Sequence, residues 1–306
     1  MLGVKQQFEV SSTVEWGQPL INQELCTNCG QCVQICPTMS IQDRQGKPVV
    51  VKCRDFGCIA CGHCMAVCPT GAVSVSGRGL KKEDAFLLSP VSERAGADSL
   101  QDLMDARRSI RIYEDKPIES QVIQRLVAMA ATAPMGFPPT EVGVVIINDK
   151  KRVQALAADL CAVFKKWLFF RTPAGALMMR LIMDKPTRAL MRDYVLPVTV
   201  EILEGRKQAS DYLFYNAPCV IMFHYPMKDT VDSTIACSFM TLAAESLGLG
   251  SCIIGTVPPA LEGNKKLMSK WGIPDDRHPS IAMVLGYPSF KFTNGIRRHF
   301  SSVKYL

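Results

Sequence analysis

Eight of the thirteen cysteines fall into two runs of the same spacing. Cys26, Cys29, Cys32 and Cys36 precede Pro37 and Thr38, and Cys58, Cys61, Cys64 and Cys68 precede Pro69 and Thr70. Each member of the second run lies 32 positions after its counterpart, so one unit has been duplicated. Thiolates are soft ligands, and a dense, regular set of them in a chain expected to be cytoplasmic reads as metal ligation and not as disulfides. Zinc sites use cysteine pairs separated by longer gaps and have no use for a C-x2-C-x2-C run, which points to iron–sulfur chemistry. Pro37 and Pro69 lack an amide hydrogen and fix their own φ, which suits a chain turning away from a cluster. Cys53 stands outside the pattern and reads as a bystander. Cys161, Cys219, Cys237 and Cys252 have no partner spacing and read as small buried hydrophobes.

The pattern C-x2-C-x2-C-x3-C-P resembles that of two-cluster bacterial ferredoxins. The resemblance implies that the first three thiolates of each run hold one 4Fe-4S cluster and that the fourth reaches the other. One cluster is then assigned to Cys26, Cys29, Cys32 and Cys68, and the second to Cys58, Cys61, Cys64 and Cys36.

The chain around these residues is long enough, at 306 residues, for two modest domains. Its 48% hydrophobic and 21% charged residues exclude a disordered or collagen-like chain. No run of eighteen apolar residues lacks a charge, and the first thirty residues hold no apolar h-region, so neither a spanning helix nor a secretory signal is expected. Residues 1–80 carry the cysteine runs. The Gly-, Lys- and Pro-bearing stretch 81–98 reads as a linker, with Leu87 and Leu88 as candidates to pin it to one domain. Residues 99–306 read as a second, α+β domain.

That second domain opens with a helix capped by Asp98 or Ser99, and then Arg107-Arg108-Ser109-Ile110-Arg111. Guanidinium forks match phosphate oxygens, but a solvated basic helix end would look the same, and this stretch alone leaves both readings open. Ser120 is expected to cap a helix bearing Ile123, Leu126, Val127 and Ala130. The loop Ala133-Pro134-Met135-Gly136-Phe137-Pro138-Pro139 follows, leading into a strand from Val142 to Ile147. A helix from about Val231 to Leu247 should end at Gly248 and Gly250, ahead of a strand from Ser251 to Ile254. A last strand, Ile281 to Leu285, precedes Gly286-Tyr287-Pro288 and a tail with Arg297 and Arg298.

Those stations, in that order, resemble the FMN-dependent nitroreductase family over roughly Ser99 to Arg298. The chain as a whole resembles a ferredoxin–nitroreductase fusion. The implied fold class is α+β: a small two-cluster ferredoxin-type domain, then a nitroreductase-type domain with a central, mainly antiparallel sheet flanked by helices. The resemblance implies that Arg107, Arg108, Ser109 and Arg111 hold the FMN phosphate and ribityl chain, joined by Arg297 or Arg298. It places Pro134, Met135 and Gly136 beside the isoalloxazine ring across a homodimer interface, and Ile253, Ile254 and Gly255 along the ring. The chain departs from the family pattern at Phe137-Pro138-Pro139-Thr140, where members often carry an asparagine and then Gln-Pro-Trp. The net charge of +7 treats every thiol as neutral. Two oxidised clusters would remove roughly four charges and a flavin phosphate about two, so no nucleic-acid footprint is implied.

Residues 150–215 exceed what the family core needs. Trp167, Leu168, Phe169, Phe170, Leu177, Met178, Met179, Leu181, Ile182 and Met183 make an apolar patch broken by Arg171 and Arg180. A lid over the flavin or a dimer contact is the expected use, with membrane contact ranked below them. Functionally, two one-electron clusters beside a flavin that takes one or two electrons suggest an enzyme reducing an electron-poor organic acceptor, such as a nitroaromatic or quinone. The electrons would come from a low-potential donor protein, and no catalytic side chain is required. An electron carrier or redox sensor serving a protein partner is the alternative. A second is direct reduction by NAD(P)H bound transiently, because no G-x-G-x-x-G dinucleotide fingerprint is present.

Overall fold

The computed structural model describes residues 16–51, 57–136, 141–208, 210–228 and 230–306. Cys53 and the departure at 137–140 lie outside the described residues. By contact density the chain divides into two compact units, Met1–Arg94 with Met135–Glu141, and Ala95–Pro134 with Val142–Leu306.

The first unit runs β1 (Gln18–Ile21), α1 (Gln31–Ile35), β2 (Ile41–Arg44), β3 (Lys47–Val50), α2 (His63–Val67) and β4 (Val73–Ser76). Each half of the duplication is thus strand, one-turn helix, strand. Five-residue helices cannot hold themselves in water, so partners must fix them. The pairing supplies those partners by crossing the halves: β1 pairs with β4 and β2 with β3, both antiparallel. Ile41, Ala60, Met65, Val73 and Val75 form a small core with Cys32 and Cys64. The backbone repeats as faithfully as the sequence. Asn28 and Ala60 (φ 55° and 54°), Gly30 and Gly62 (72° and 73°), and Met39 and Gly71 (53° and 64°) are left-handed at matching positions.

The second unit runs α3 (Ala97–Ala106), α4 (Ser120–Ala130), β5 (Gly143–Ile147), α5 (Lys150–Trp167), α6 (Pro173–Ile182), α7 (Lys185–Leu190), α8 (Leu196–Lys207), β6 (Cys219–Tyr225), α9 (Val231–Ser246), β7 (Gly250–Ile253), α10 (Val257–Leu261), α11 (Lys265–Lys270) and β8 (His278–Gly286). The sheet order is β5-β6-β8-β7, every pair antiparallel. β6 is buried along its whole length, so it reads as a continuous apolar run with no alternation. Val220, Met222, Ala282 and Val284 pack with Leu156, Leu160 and Phe164 of α5. Met283 points the other way, its sulfur 3.9 Å from Cys237 of α9.

The expected α+β architecture with its antiparallel sheet is therefore present, and Cys161, Cys219, Cys237 and Cys252 are buried. Several local expectations need correction. The first helix of this unit starts at Ala97 behind Gly96, and neither Asp98 nor Ser99 caps it; Asp98 instead lies in the first turn, where its charge suits the helix dipole. Ser120 is the first helical residue behind Glu119 and makes no cap. Leu87 and Leu88 are 97% and 68% exposed. Gly248 does terminate α9: at φ 72° it allows Leu249 N–H to reach the Ala244 carbonyl (2.8 Å) and its own N–H that of Glu245 (3.0 Å). Gly250 has a different task. It is the first residue of β7, and a Cβ there would stand 2.5 Å from Ile110 Cγ1.

The reason is that the segment after α3 runs alongside β7. Ser109 and Ser251 form a parallel bridge, and Ile110 N–H donates to the Ser251 carbonyl at 2.9 Å. Further on, Glu114 N–H donates to Tyr287 (2.9 Å) and Ser289 N–H to Ile112 (3.2 Å). Gly250→Val is expected to cost about 1–3 kcal/mol by overpacking. Denaturant unfolding of the single variants and of Gly250→Val/Ile110→Ala should show part of that loss recovered in the double. Fully additive losses would mean the two residues do not meet.

Candidate functional site

Two cavities in the first unit sort the eight cysteines: one is lined by Cys26, Cys29, Cys32 and Cys68, the other by Cys36, Cys58, Cys61 and Cys64. The fourth thiol of each run thus sits with the first three of the other. The turn of backbone that sends it there is the same twice. Cys36 closes α1 at φ −73°, ψ 108°, and Cys68 closes α2 at φ −73°, ψ 114°, both extended and each aimed into a proline. Four thiols line each cavity, and that donor set fits iron–sulfur clusters, whose ligands are cysteine thiolates in fours.

The thiols are not electrostatically alike. Burial raises Cys32 and Cys58 and pushes Cys64 up to about 12. For Cys36 and Cys68 burial also raises, but donors outweigh it and both end below the ordinary thiol value. Those donors are the Thr38 and Thr70 hydroxyls, each 3.7 Å from its sulfur, and backbone amides such as Ala72 N–H, 3.2 Å from Cys68 Sγ. The threonine after each Cys-Pro therefore has work that the repeat announced but spacing alone did not explain: donors aimed at a thiolate sulfur stabilise its charge.

A second candidate lies along the outer edge of β7. Because residues 107–111 run extended there, their side chains alternate. Arg107, Ser109 and Arg111 all face Cys252: burial raises that thiol, while Arg111, a hydrogen bond from Ser109, and Arg107 oppose the rise. Arg108 and Ile110 point the other way, Ile110 into the core (4% exposed) and Arg108 toward Gly295 of the tail. Arg108 Nη2 is buried without a hydrogen-bond partner among the described residues. None of Arg107, Arg108, Arg111, Arg297 and Arg298 forms an ion pair with a described carboxylate. Arg107 acts electrostatically on Glu245, and a guanidinium group otherwise without ion pairs, with one orphaned buried donor, fits a phosphate-bearing group.

The remaining sequence candidates divide. Ile253 is 42% exposed at the end of β7, Ile254 is buried with its N–H on the Ala282 carbonyl (2.8 Å), and Gly255 is exposed with open space where a Cβ would be. Arg297 and Arg298 are exposed in the tail beyond β8. Pro134 is exposed in the second unit, whereas Met135, half-buried, and Gly136, exposed, group with the first. Tyr215 is an addition. Its ring lies 5.7 Å from the Arg111 guanidinium, a cation–π contact. Tyr215 and Asn216 are left-handed (φ 57° and 55°), held by Asp211, whose carboxylate accepts from the N–H groups of Leu213, Phe214 and Asn216 at 3.0, 2.9 and 3.1 Å. An aspartate just ahead of a buried apolar run was the available signal.

Comparison with known proteins adds the following. Residues 104–287 match the family model described as nitroreductase family, and residues 18–69 that of a 4Fe-4S dicluster domain. An FMN reductase (NAD(P)H) of Bacillus subtilis (strain 168) is 24% identical over 183 residues, 60% of this chain and 63% of that protein. The chain therefore spans under two thirds of the length of that relative. A solved nitroreductase with bound FMN from Bacteroides fragilis NCTC 9343 superposes with a TM-score of 0.51 at 19% identity, covering 68% of this chain and 98% of that one.

The crossed thiol sets can be tested by pairing substitutions. Cys36→Ala/Cys61→Ala is expected to lose no more iron than Cys61→Ala, roughly four of about eight atoms, because both residues line one cavity. Cys36→Ala/Cys29→Ala should lose both sets. Iron quantitation of anaerobically purified protein showing the reverse order would return Cys36 to its own run.

Proposed function

The chain belongs to the nitroreductase family, and on that premise we propose that it is an FMN-dependent oxidoreductase fed by its own iron–sulfur unit. In this reading two 4Fe-4S clusters pass electrons to FMN, and an electron-poor organic molecule, a nitroaromatic, a quinone or a similar compound, is the acceptor. What carries the reading is the coincidence in one polypeptide of two four-thiol cavities and an arginine group beside β7 with a buried, unpartnered Arg108 donor. A homodimer with the flavin at the subunit interface and a cytoplasmic location belong to the same reading.

When bound, the cofactors supply the electron chemistry, one electron at a time at the clusters and one or two at the flavin. The chain's own residues bind and orient. Cys26, Cys29, Cys32 and Cys68 would hold one cluster, and Cys58, Cys61, Cys64 and Cys36 the other. Thr38 and Thr70 would donate to the sulfurs of Cys36 and Cys68. Arg107, Ser109 and Arg111 would meet the FMN phosphate and ribityl chain, with Arg111 kept in place by the Tyr215 ring. Arg108, its buried Nη2 without a partner, would approach the same phosphate from the side of the tail, where Arg297 and Arg298 follow Gly295. Ile253, Ile254 and Gly255 would lie along the ring on an open stretch of backbone, and Pro134, Met135 and Gly136 would supply the facing loop. No side chain is asked to act as nucleophile. His224 is buried and held neutral, burial pushing its pKa down to about 4, and His278 is occupied by Glu262 at 2.9 Å.

The name of the Bacillus subtilis relative favours a second reading, in which NAD(P)H reduces the flavin directly. Anaerobic stopped-flow separates the two. A low-potential one-electron donor should reduce the flavin rapidly in the wild type and much more slowly in Cys61→Ala, with FMN still bound. A wild-type rate after confirmed cluster loss, together with rapid reduction by NADPH, would favour the second reading. Arg107→Ala removes a charge-assisted contact of about 1.5–3 kcal/mol and should weaken FMN retention roughly ten- to a hundredfold. Full flavin occupancy after dialysis of that variant would remove Arg107 from the site.

A further inference from the structure

Helix α6 wears its apolar side outward. Gly175 sets its orientation, because a Cβ there would collide with the Phe169 carbonyl oxygen and Phe170 Cα, so this side of the helix must lie flat on the preceding turn. Met179, one turn on, is 4% exposed on that side. Thr172 caps the helix by accepting from Gly175 N–H at 3.1 Å, and Pro173 starts it. The outer side carries Pro173, Ala174, Leu177, Met178 and Leu181, all exposed, with Leu181 at 78%; exposed Arg180 stands at its edge and Ile182, 63% exposed, ends the helix. An exposed, mainly apolar helical stripe edged by one cation, Arg180, is what a surface leaves bare for a partner.

The charges around α6 identify that partner. Between residues 165 and 192 stand Lys165, Lys166, Arg171, Arg180, Lys185, Arg188 and Arg192, against a single carboxylate, Asp184. Asp184 is spent on the N-terminus of α7, accepting from Thr187 N–H at 2.8 Å. Arg192 pairs with Asp193. Arg188 lies within electrostatic reach of Asp184, and among the described residues Lys165, Lys166, Arg171, Arg180 and Lys185 form no ion pair. A second copy of this face would set like charge against like. An anionic bilayer offers the complement: headgroups for the cations and an acyl boundary for the stripe. The helix has ten residues, and no helix among the described residues is long and apolar enough to cross a membrane, so α6 would lie in the interfacial plane.

We propose that α6 and the basic residues flanking it dock this protein peripherally on an anionic membrane surface. The amino-acid pattern alone ranked membrane contact below a lid or a dimer contact, and the outward stripe reverses that order. The proposal does not depend on which acceptor is reduced.

Cosedimentation of the holoprotein with two kinds of vesicle tests it: pure phosphatidylcholine, and phosphatidylcholine with a minority of phosphatidylglycerol. The wild type is expected to partition onto the second and not the first, and to be released by salt. Leu177→Glu/Leu181→Glu, at solvated positions, should reduce partitioning by about tenfold or more with iron and flavin content unchanged. Arg180→Glu/Arg188→Glu should weaken it and flatten the salt dependence. Absence of wild-type binding to the anionic vesicles would overturn the proposal, as would equal binding by the Leu variant. So would loss of oligomer mass by light scattering of the Leu variant without lipid, which would assign the face to a second copy. A raised acceptor KM in that variant, with vesicle binding intact, would make α6 a lid and overturn it too.

Discussion

Neither half of the first unit is complete without the other. Each strand of one half takes its hydrogen bonds from the other half, and each cavity takes its fourth thiol from the other run. The one-turn helices α1 and α2 are too short to persist alone, so the crossed pairing holds them, and they in turn carry Cys32 and Cys64. A small unit with few core residues gains cooperativity this way. β1 and β2 line one cavity through Pro19 and Ile41, β3 and β4 the other through Pro48 and Val73, and ligation at either would tie both halves together.

The second unit is governed by an edge. β7 would end the sheet, but the extended run after α3 lies along it and the backbone of Gly250 makes room for Ile110. Extended backbone sends successive side chains to opposite sides, and this separates Arg107, Ser109 and Arg111 from Arg108. One short motif thereby serves two places, the end of β7 and the tail near Gly295. Gly248 turns α9 into β7 and so sets Cys252 and Ile253 where the arginines arrive. The chemistry proposed for this edge is binding and orientation, which asks for fixed geometry more than for reactive side chains.

Much of this was legible in the amino-acid order because it depends on spacing. Two identical runs 32 positions apart announce a duplication, and C-x2-C-x2-C cannot serve a single tetrahedral ion conveniently. The end of α9 at Gly248 was readable for a similar local reason, since few residues other than glycine take a left-handed turn cheaply. Other elements escaped. β6 shows no alternation because both its faces are buried, so periodicity gave it no signature. The caps of α3 and α4 were misplaced because polar residues just inside a helix look like polar residues just before it.

By itself, then, the sequence determined the ligand types, their duplicated spacing, the order of the nitroreductase stations and the α+β class. Each of these is a property of neighbours along the chain. Tertiary structure alone decided which thiols share a cavity as a geometric fact, which arginines face Cys252 and which faces the tail, that Tyr215 lies against Arg111, and that α6 turns its apolar side outward. Those outcomes depend on hydrogen-bond pairing and close contact between residues far apart in sequence, and on which of two faces a neighbour happens to cover. A pattern of residue types records that a helix has an apolar stripe; only the packing at Gly175 says where the stripe points.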